Sequence, residues 1–202
     1  KLSITNGGVC YDLLVISSDH FVGLPSLKYL AIHTGGNLSL YDPKEKLCAR
    51  DMYRRYASPM AFHCLLRLRC PKEYEVHHAY GHLVPDETYE DLYHSSGCDI
   101  WKTFAFDFKH CSPSGFIHAP SKKVILQFAF AHAFLAGKIG DQQRVTVERR
   151  LRINTIQVDR TLALPKLFAS CEADTTMLLL NHKLGKVLFK KGINEVKSLL
   201  RD

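Results

Sequence analysis

Ala61-Phe-His-Cys-Leu-Leu-Arg-Leu-Arg-Cys70 is the stretch whose reading decides the fold. Phe62, Cys64, Leu66, Leu68 and Cys70 recur at every second position, and His63, Leu65, Arg67 and Arg69 fill the alternate ones. An extended backbone points successive side chains to opposite faces, so this period predicts an antiparallel strand with one face in a core and the other towards solvent. The same alternation returns in residues 73–80, 101–108 and 124–134, and again within 144–158. In 101–108 it opposes Lys102, Phe104, Phe106 and Phe108 to Trp101, Thr103, Ala105 and Asp107. In 144–158 it puts Val145, Val147, Leu151 and Ile153 on one side. Five or more such strands, separated by loops rich in Gly, Pro and Ser, predict a β-sandwich or an open barrel.

Upstream the pattern differs. Val9-Cys-Tyr-Asp-Leu-Leu-Val-Ile16 is a short apolar run of the kind that forms a strand buried on both faces of a parallel sheet. Leu24, Leu27, Leu30 and Ala31 then recur at helical spacing behind Pro25, whose fixed φ suits a first helical turn. Thr34-Gly35-Gly36 ends that helix, because glycine takes the left-handed conformation without a side-chain clash. Asn37-Leu-Ser-Leu-Tyr41 alternates as a second strand, and strand, helix, strand predicts one crossover of a parallel α/β sheet. At the other end, Asp174 is expected to cap a helix running to about residue 184, and a further helix is expected from about Asn194. The fold class is therefore mixed α and β. An α/β crossover occupies residues 1–45, an antiparallel β-sandwich 46–160, and helices 161–202.

Composition bounds the function. The 202 residues are 46% hydrophobic and 23% charged, the balance of a globular chain with a core. A bilayer-spanning helix needs roughly 18 consecutive apolar residues. The longest apolar-rich stretch, 124–137, is shorter and is interrupted by Gln127 and His132. A net charge of +7 biases encounters towards acidic membranes, nucleic acids or acidic protein surfaces. Seven irregularly spaced cysteines, with no signal-peptide pattern ahead of them, argue against a disulfide framework and for a reducing, cytoplasmic setting. A start at Lys1 and a helical pattern that runs to the last residues lead us to expect a segment of a longer protein.

Eleven histidines raise the question of a metal, and spacing answers it. There is no Cys-x-x-Cys pair and no His-x-x-x-His on a helix. In the densest cluster, His77, His78 and His82 with His63 and Cys64, strand alternation sends the adjacent His77 and His78 to opposite faces. No metal or other cofactor is expected. Neither Gly-x-Ser-x-Gly nor a phosphate-binding loop occurs, and Gly35-Gly36-Asn37 lacks the remaining glycine of a dinucleotide fingerprint. Asn37-Leu38-Ser39 fits a glycosylation sequon, which is idle in a cytosolic protein.

Three basic features remain. Arg67 and Arg69 share the outer face of one strand, and Arg149, Arg150 and Arg152 lie on another with the last two on the same side. Lys186, Lys190, Lys191 and Lys197 decorate the terminal helices. Brought together, such residues form a patch for acidic lipid head groups, each contributing about 1 kcal/mol at an anionic surface. Aromatics do interleave with basic residues around Trp101-Lys102, but their alternation suits a core strand better than a base-stacking platform. A nucleic-acid-binding module and a metal-dependent or cysteine-based enzyme built on the sandwich stand as the alternative readings.

The order of units resembles the inner-layer subunits of the COPII vesicle coat, the Sec-twenty-three/Sec-twenty-four family. Gly8-Val-Cys-Tyr-Asp12-Leu-Leu, then Leu27, Leu30, Thr34-Gly35-Gly36 and Tyr41, resemble the end of that family's trunk, a von Willebrand A-type α/β domain. Leu66-Arg-Leu-Arg-Cys70 and Tyr80-Gly81 resemble its next sandwich strands. Leu126-Gln127-Phe128 with Arg149-Arg-Leu-Arg-Ile-Asn-Thr155 resembles its paired sandwich signature, and residues 168–180 the opening of its helical domain. The stretch from Gly137 to Glu148 is longer than the family's usual turn, and His132 stands where the family tends to have tyrosine. Trp101-Lys102 leans towards the GTPase-activating subunit and Arg67-Leu-Arg-Cys70 towards the cargo adaptor.

The resemblance implies a structural coat component of endoplasmic reticulum to Golgi transport, peripheral on the membrane and not an enzyme. Its implied partners are a partner coat subunit, a small Sar-type GTPase, outer coat proteins and an acidic lipid surface. The family's zinc ribbon lies outside this segment. Arg67, Arg69, Arg149, Arg150 and Arg152 are the candidate membrane- or partner-surface residues.

Overall fold

The computed structural model describes residues 8–18, 20–137 and 145–201. The chain divides into two compact units, one ending at Val158 and the other starting at Asp159.

The first unit opens with the crossover. Strand β1 (Leu13–Ile16) pairs in parallel with β2 (Leu38–Tyr41), Leu13 opposite Leu38 and Ile16 opposite Tyr41, and helix α1 (Leu24–Thr34) connects them. Pro25 sits in the first turn of α1 as expected. At its other end Thr34 is fully buried; its hydroxyl donates to Leu30 O at 2.8 Å and accepts from Tyr11 N at 3.0 Å, tying the helix to the approach of β1. Gly35 follows with φ 75°. A Cβ at Gly35 would lie 2.3 Å from Gly97 O, and one at Gly36 would lie 1.9 Å from Tyr11 O. The glycine pair therefore ends the helix and also admits two backbones that any side chain would exclude.

Helix α2 (Leu47–Ala57) is a correction to the sequence reading, which passed over it. Its signal was present: eleven residues free of Gly and Pro, set between Pro43 and Pro59, with Met52, Tyr53 and Tyr56 at helical spacing.

The larger sheet has the order β5-β6-β3-β8-β9. These strands are β5 (Val84–Pro85), β6 (Leu92–Asp99), β3 (Met60–Arg69), β8 (Lys123–Ala136) and β9 (Thr146–Asp159). β3 is central and antiparallel to both neighbours, with Leu66 opposite Tyr93 on one side and Phe130 on the other. Its alternation is the one read from the sequence: Cys64, Leu66 and Leu68 are buried while His63, Leu65, Arg67 and Arg69 are exposed. A bulge between Phe62 and Leu65 carries His63 at φ 48°. β6 was missed because its buried residues are Ser95, Ser96, Gly97 and Asp99, which carry no apolar period.

The smaller sheet pairs β4 (Tyr74–Tyr80) with β7 (Ala105–His110). β7 starts four residues later than the alternation predicted: residues 101–104 lie outside it, and Trp101 is 80% exposed. The Phe106 ring reaches across to the larger sheet, 5.6 Å from Tyr93 and 6.2 Å from Phe128 between centroids. Tyr74, Phe108 and Phe116 pack within the smaller sheet's own aromatic cluster.

The second unit is helical: α3 (Leu164–Ala169), α4 (Ala173–Lys191) and α5 (Ile193–Leu199). α3 was not read from the sequence. The cap of α4 is Glu172 rather than Asp174; its carboxylate accepts from Thr175 N at 2.7 Å, and Asp174 stands inside the first turn, where a negative charge favours the helix dipole. α4 runs on to Lys191, past Gly185 in its middle, where glycine is costly but does not break a helix.

Candidate functional site

β9 determines where the candidate arginines point. Arg69 Nη1 donates to Gln127 Oε1 at 3.0 Å, and Gln127 Nε2 donates to Thr155 Oγ1 at 3.1 Å, making one polar rung across β3, β8 and β9. Farther along the pair, the Arg150 guanidinium lies 3.7 Å over the Phe134 ring, and Thr146 Oγ1 donates to Ala136 O at 3.4 Å. Partner numbers rise on one strand as they fall on the other, so β8 and β9 are antiparallel. Thr155 shares a face with Arg67 and Arg69, and strand alternation puts Arg149 on that face too. Arg150 and Arg152 lie on the opposite face, with Phe134 and His132. Burial, and after it the charges of Arg152 and Arg150, push the His132 imidazole below its ordinary range. The five arginines thus form two surfaces, Arg67, Arg69 and Arg149 on one and Arg150 and Arg152 on the other. The intervening Gly140-Asp-Gln-Gln-Arg144 lies outside the described residues.

A second constellation, missed by sequence reasoning, lies where the crossover meets the larger sheet. Arg55 of α2 binds Asp12 with Nε at 2.9 Å and Nη2 at 3.1 Å, and its Nη1 pairs with Asp99 at the end of β6. The other oxygen of Asp99 accepts from Trp101 N at 2.8 Å, and Asp12 also accepts from Asn37 N at 2.8 Å. Asp99 is 6% exposed. Burial opposes the charge of Asp12, but the Arg55 hydrogen bonds outweigh it and hold this carboxyl below the usual carboxylate range. Burial likewise opposes the Arg55 charge, and its hydrogen bond to Asp12 raises it again. Beside them, Lys102 Nζ contacts Gly36 O at 3.1 Å, Asn37 Oδ1 at 3.0 Å and His82 Nδ1 at 3.0 Å. Asp12 was the available signal: a carboxylate within the apolar run 9–16 requires a cation.

This arrangement holds elements together, and its charged groups are paired with one another or with the backbone. Burial pushes the Cys64 thiol up to about 12 and that of Cys70 to about 11, far from the thiolate a nucleophile needs. Among the described residues no group of three or more His, Cys, Asp and Glu side chains is placed to hold a metal ion. A groove of about 640 Å³ between β1–β2 and α2 is lined by Tyr41, Tyr53, Tyr56, Trp101, Arg55 and Asp12 among others, with neither a histidine nor a cysteine in its wall. No helix of the described residues is long and apolar enough to cross a membrane.

The chain is 32% identical over 205 aligned positions to the protein transport protein SEC23 D of Arabidopsis thaliana, a match covering 96% of this chain and 27% of that protein. Its fold matches the crystal structure of the human COPII-coat protein Sec24c with a TM-score of 0.78 and 20% identity, over 97% of this chain and 24% of that one. No family model matches. The fold is thus mixed α and β, like the corresponding quarter of that structure. The sequence makes the chain a relative of the inner-layer COPII coat family, aligned over nearly its whole length and spanning about a quarter of the relatives it matches.

Proposed function

We propose that this chain is a structural part of the inner COPII coat in endoplasmic reticulum to Golgi transport, working through surfaces and not through turnover. The observation that carries the reading is the 32% identity maintained over 96% of the chain to a protein transport protein. In this reading residues 1–45 close a von Willebrand A-like trunk, 46–160 form the β-sandwich and 161–202 open the helical domain. The parallel β1–α1–β2 crossover, the Phe106 contact between sheets and the helices α3 to α5 support those assignments. The protein would act from the cytoplasm, peripheral on endoplasmic reticulum and vesicle membranes. Its partners would be a second coat subunit, a small Sar-type GTPase, outer coat proteins and acidic lipid.

Arg67, Arg69 and Arg149 offer a single basic face for acidic lipid, and Arg150 with Arg152 the opposite one for a protein neighbour. Each close arginine adds about 1 kcal/mol at an anionic surface. Flotation of the full-length protein with anionic vesicles at low salt tests the division. Charge reversal at Arg67 and Arg69 lowers recovery, whereas reversal at Arg150 and Arg152 leaves it unchanged and weakens coat assembly. Equal recovery for all variants and wild type rejects the lipid role. Failure of the protein to join a partner coat subunit on vesicles loaded with the GTPase rejects the coat assignment itself.

A further inference from the structure

We propose that His82 and Lys102 form a pH-sensitive latch: neutral His82 accepts a hydrogen bond from the Lys102 ammonium, and protonation of His82 frees the Gly36–Asn37 turn from the segment after β6. An ammonium has three donors and no acceptor. All three donors of Lys102 are used here, on Gly36 O at 3.1 Å, Asn37 Oδ1 at 3.0 Å and His82 Nδ1 at 3.0 Å. His82 therefore carries its proton on Nε2. An imidazolium would aim a second N–H at the Lys102 nitrogen, setting donor against donor and cation against cation.

The surroundings do not relieve that clash. Asp99, at the end of β6, favours a charged His82, but its oxygens are committed to Arg55 and to Trp101 N. His33 of α1 and Lys102 itself oppose the charge. Around Lys102 stand Arg55 of α2, Cys10 and Asp12. Asp12 is held by Arg55 and by Asn37 N. Burial first, and then the Lys102 charge, keep His82 below the ordinary imidazole range. A histidine depressed in the folded state binds fewer protons there than in the unfolded chain. The latch is therefore complete above the ordinary histidine range of about 6.5 and is lost as the pH falls below it. The turn released is the one in which Gly35 and Gly36 lie against Gly97 and Tyr11, so the effect reaches the joint between crossover and sheet.

Amide hydrogen exchange of the full-length protein at pH 7.5 and 5.5, corrected for intrinsic rates, provides the test. Peptides covering residues 35–41 and 100–104 lose protection in the wild type, by up to about tenfold, since pH 5.5 lies about one unit below the ordinary histidine value and one unit is a tenfold effect. H82Q keeps an acceptor that does not titrate, and its protection stays level across that range. Equal losses in wild type and H82Q overturn the latch. Should H82Q fail to fold, exchange at the His82 ring carbon reads its titration directly in wild type and in K102M. A rise of the midpoint in K102M supports the latch, and an unchanged midpoint overturns it.

Discussion

β3 and β9 carry nearly the same pattern and meet opposite fates. Leu66-Arg-Leu-Arg69 in β3 and Arg150-Leu-Arg-Ile153 in β9 both alternate leucine or isoleucine with arginine. In β3 the leucines are 6% and 2% exposed, whereas in β9 Leu151 and Ile153 are 62% and 59% exposed. The difference is face as well as position: Leu151 and Ile153 lie with Arg149 and Thr155 on the face that carries Arg67 and Arg69, opposite the leucines of β3. β3 lies between β6 and β8, and the sheet face carrying its leucines packs inward. β9 lies at the edge, and all fourteen of its residues are exposed. Period identifies a strand, but what covers the strand is a matter of neighbours.

The largest effect tests that contrast directly. Leu68→Ala removes a fully buried side chain and leaves a cavity at the centre of the sheet, a loss of about 2–5 kcal/mol. Leu151→Ala, the same chemical change at the edge, stays within about 0.5 kcal/mol. Urea unfolding of both variants measures the pair, and comparable losses would show that β9 is as much core as β3.

A second experiment contrasts buried charge with the exposed charge of β9. Because Asp12 is held below the ordinary carboxylate range, the folded protein binds fewer protons than the unfolded chain in acid. The Asp12 contribution is therefore complete above about pH 5 and declines as the pH drops below the carboxylate range. Melting temperature against pH should show that decline in wild type and a flatter acid limb in Asp12→Asn. Glu148→Gln on β9, whose partner Arg150 is half exposed, should leave the limb unchanged. An identical limb in Asp12→Asn and wild type removes Asp12 from the clamp.

The smallest effect concerns the rung that joins the two strands through β8. Gln127→Ala breaks both the Arg69 and the Thr155 contacts at an exposed site, so about 0.5–1 kcal/mol is expected. A loss matching that of Leu68→Ala would mean that β9 is held chiefly by this rung.

The strands with apolar alternation, β3, β4 and β8, were legible in the sequence, and so were the crossover and the stop at Thr34-Gly35-Gly36. The resemblance to the inner COPII coat family was legible too, because it rests on an order of short motifs. β6 was not, since Ser95, Ser96 and Gly97 are buried without being apolar. Trp101-Lys-Thr-Phe misled because a turn that follows a strand can imitate alternation over four residues. The candidate arginines are exposed strand residues, but their division between two faces depends on the register of β8 and β9, which no local pattern encodes.

By itself the sequence determined which segments extend and which coil, since backbone period and glycine conformation are local properties. Only the tertiary structure decided that Asp12, Arg55 and Asp99, residues from three separate segments, share one half-buried site, and that Lys102 finds His82. Such pairings depend on which chains lie side by side after folding, and a charge excluded from water takes whatever partner that packing brings within reach.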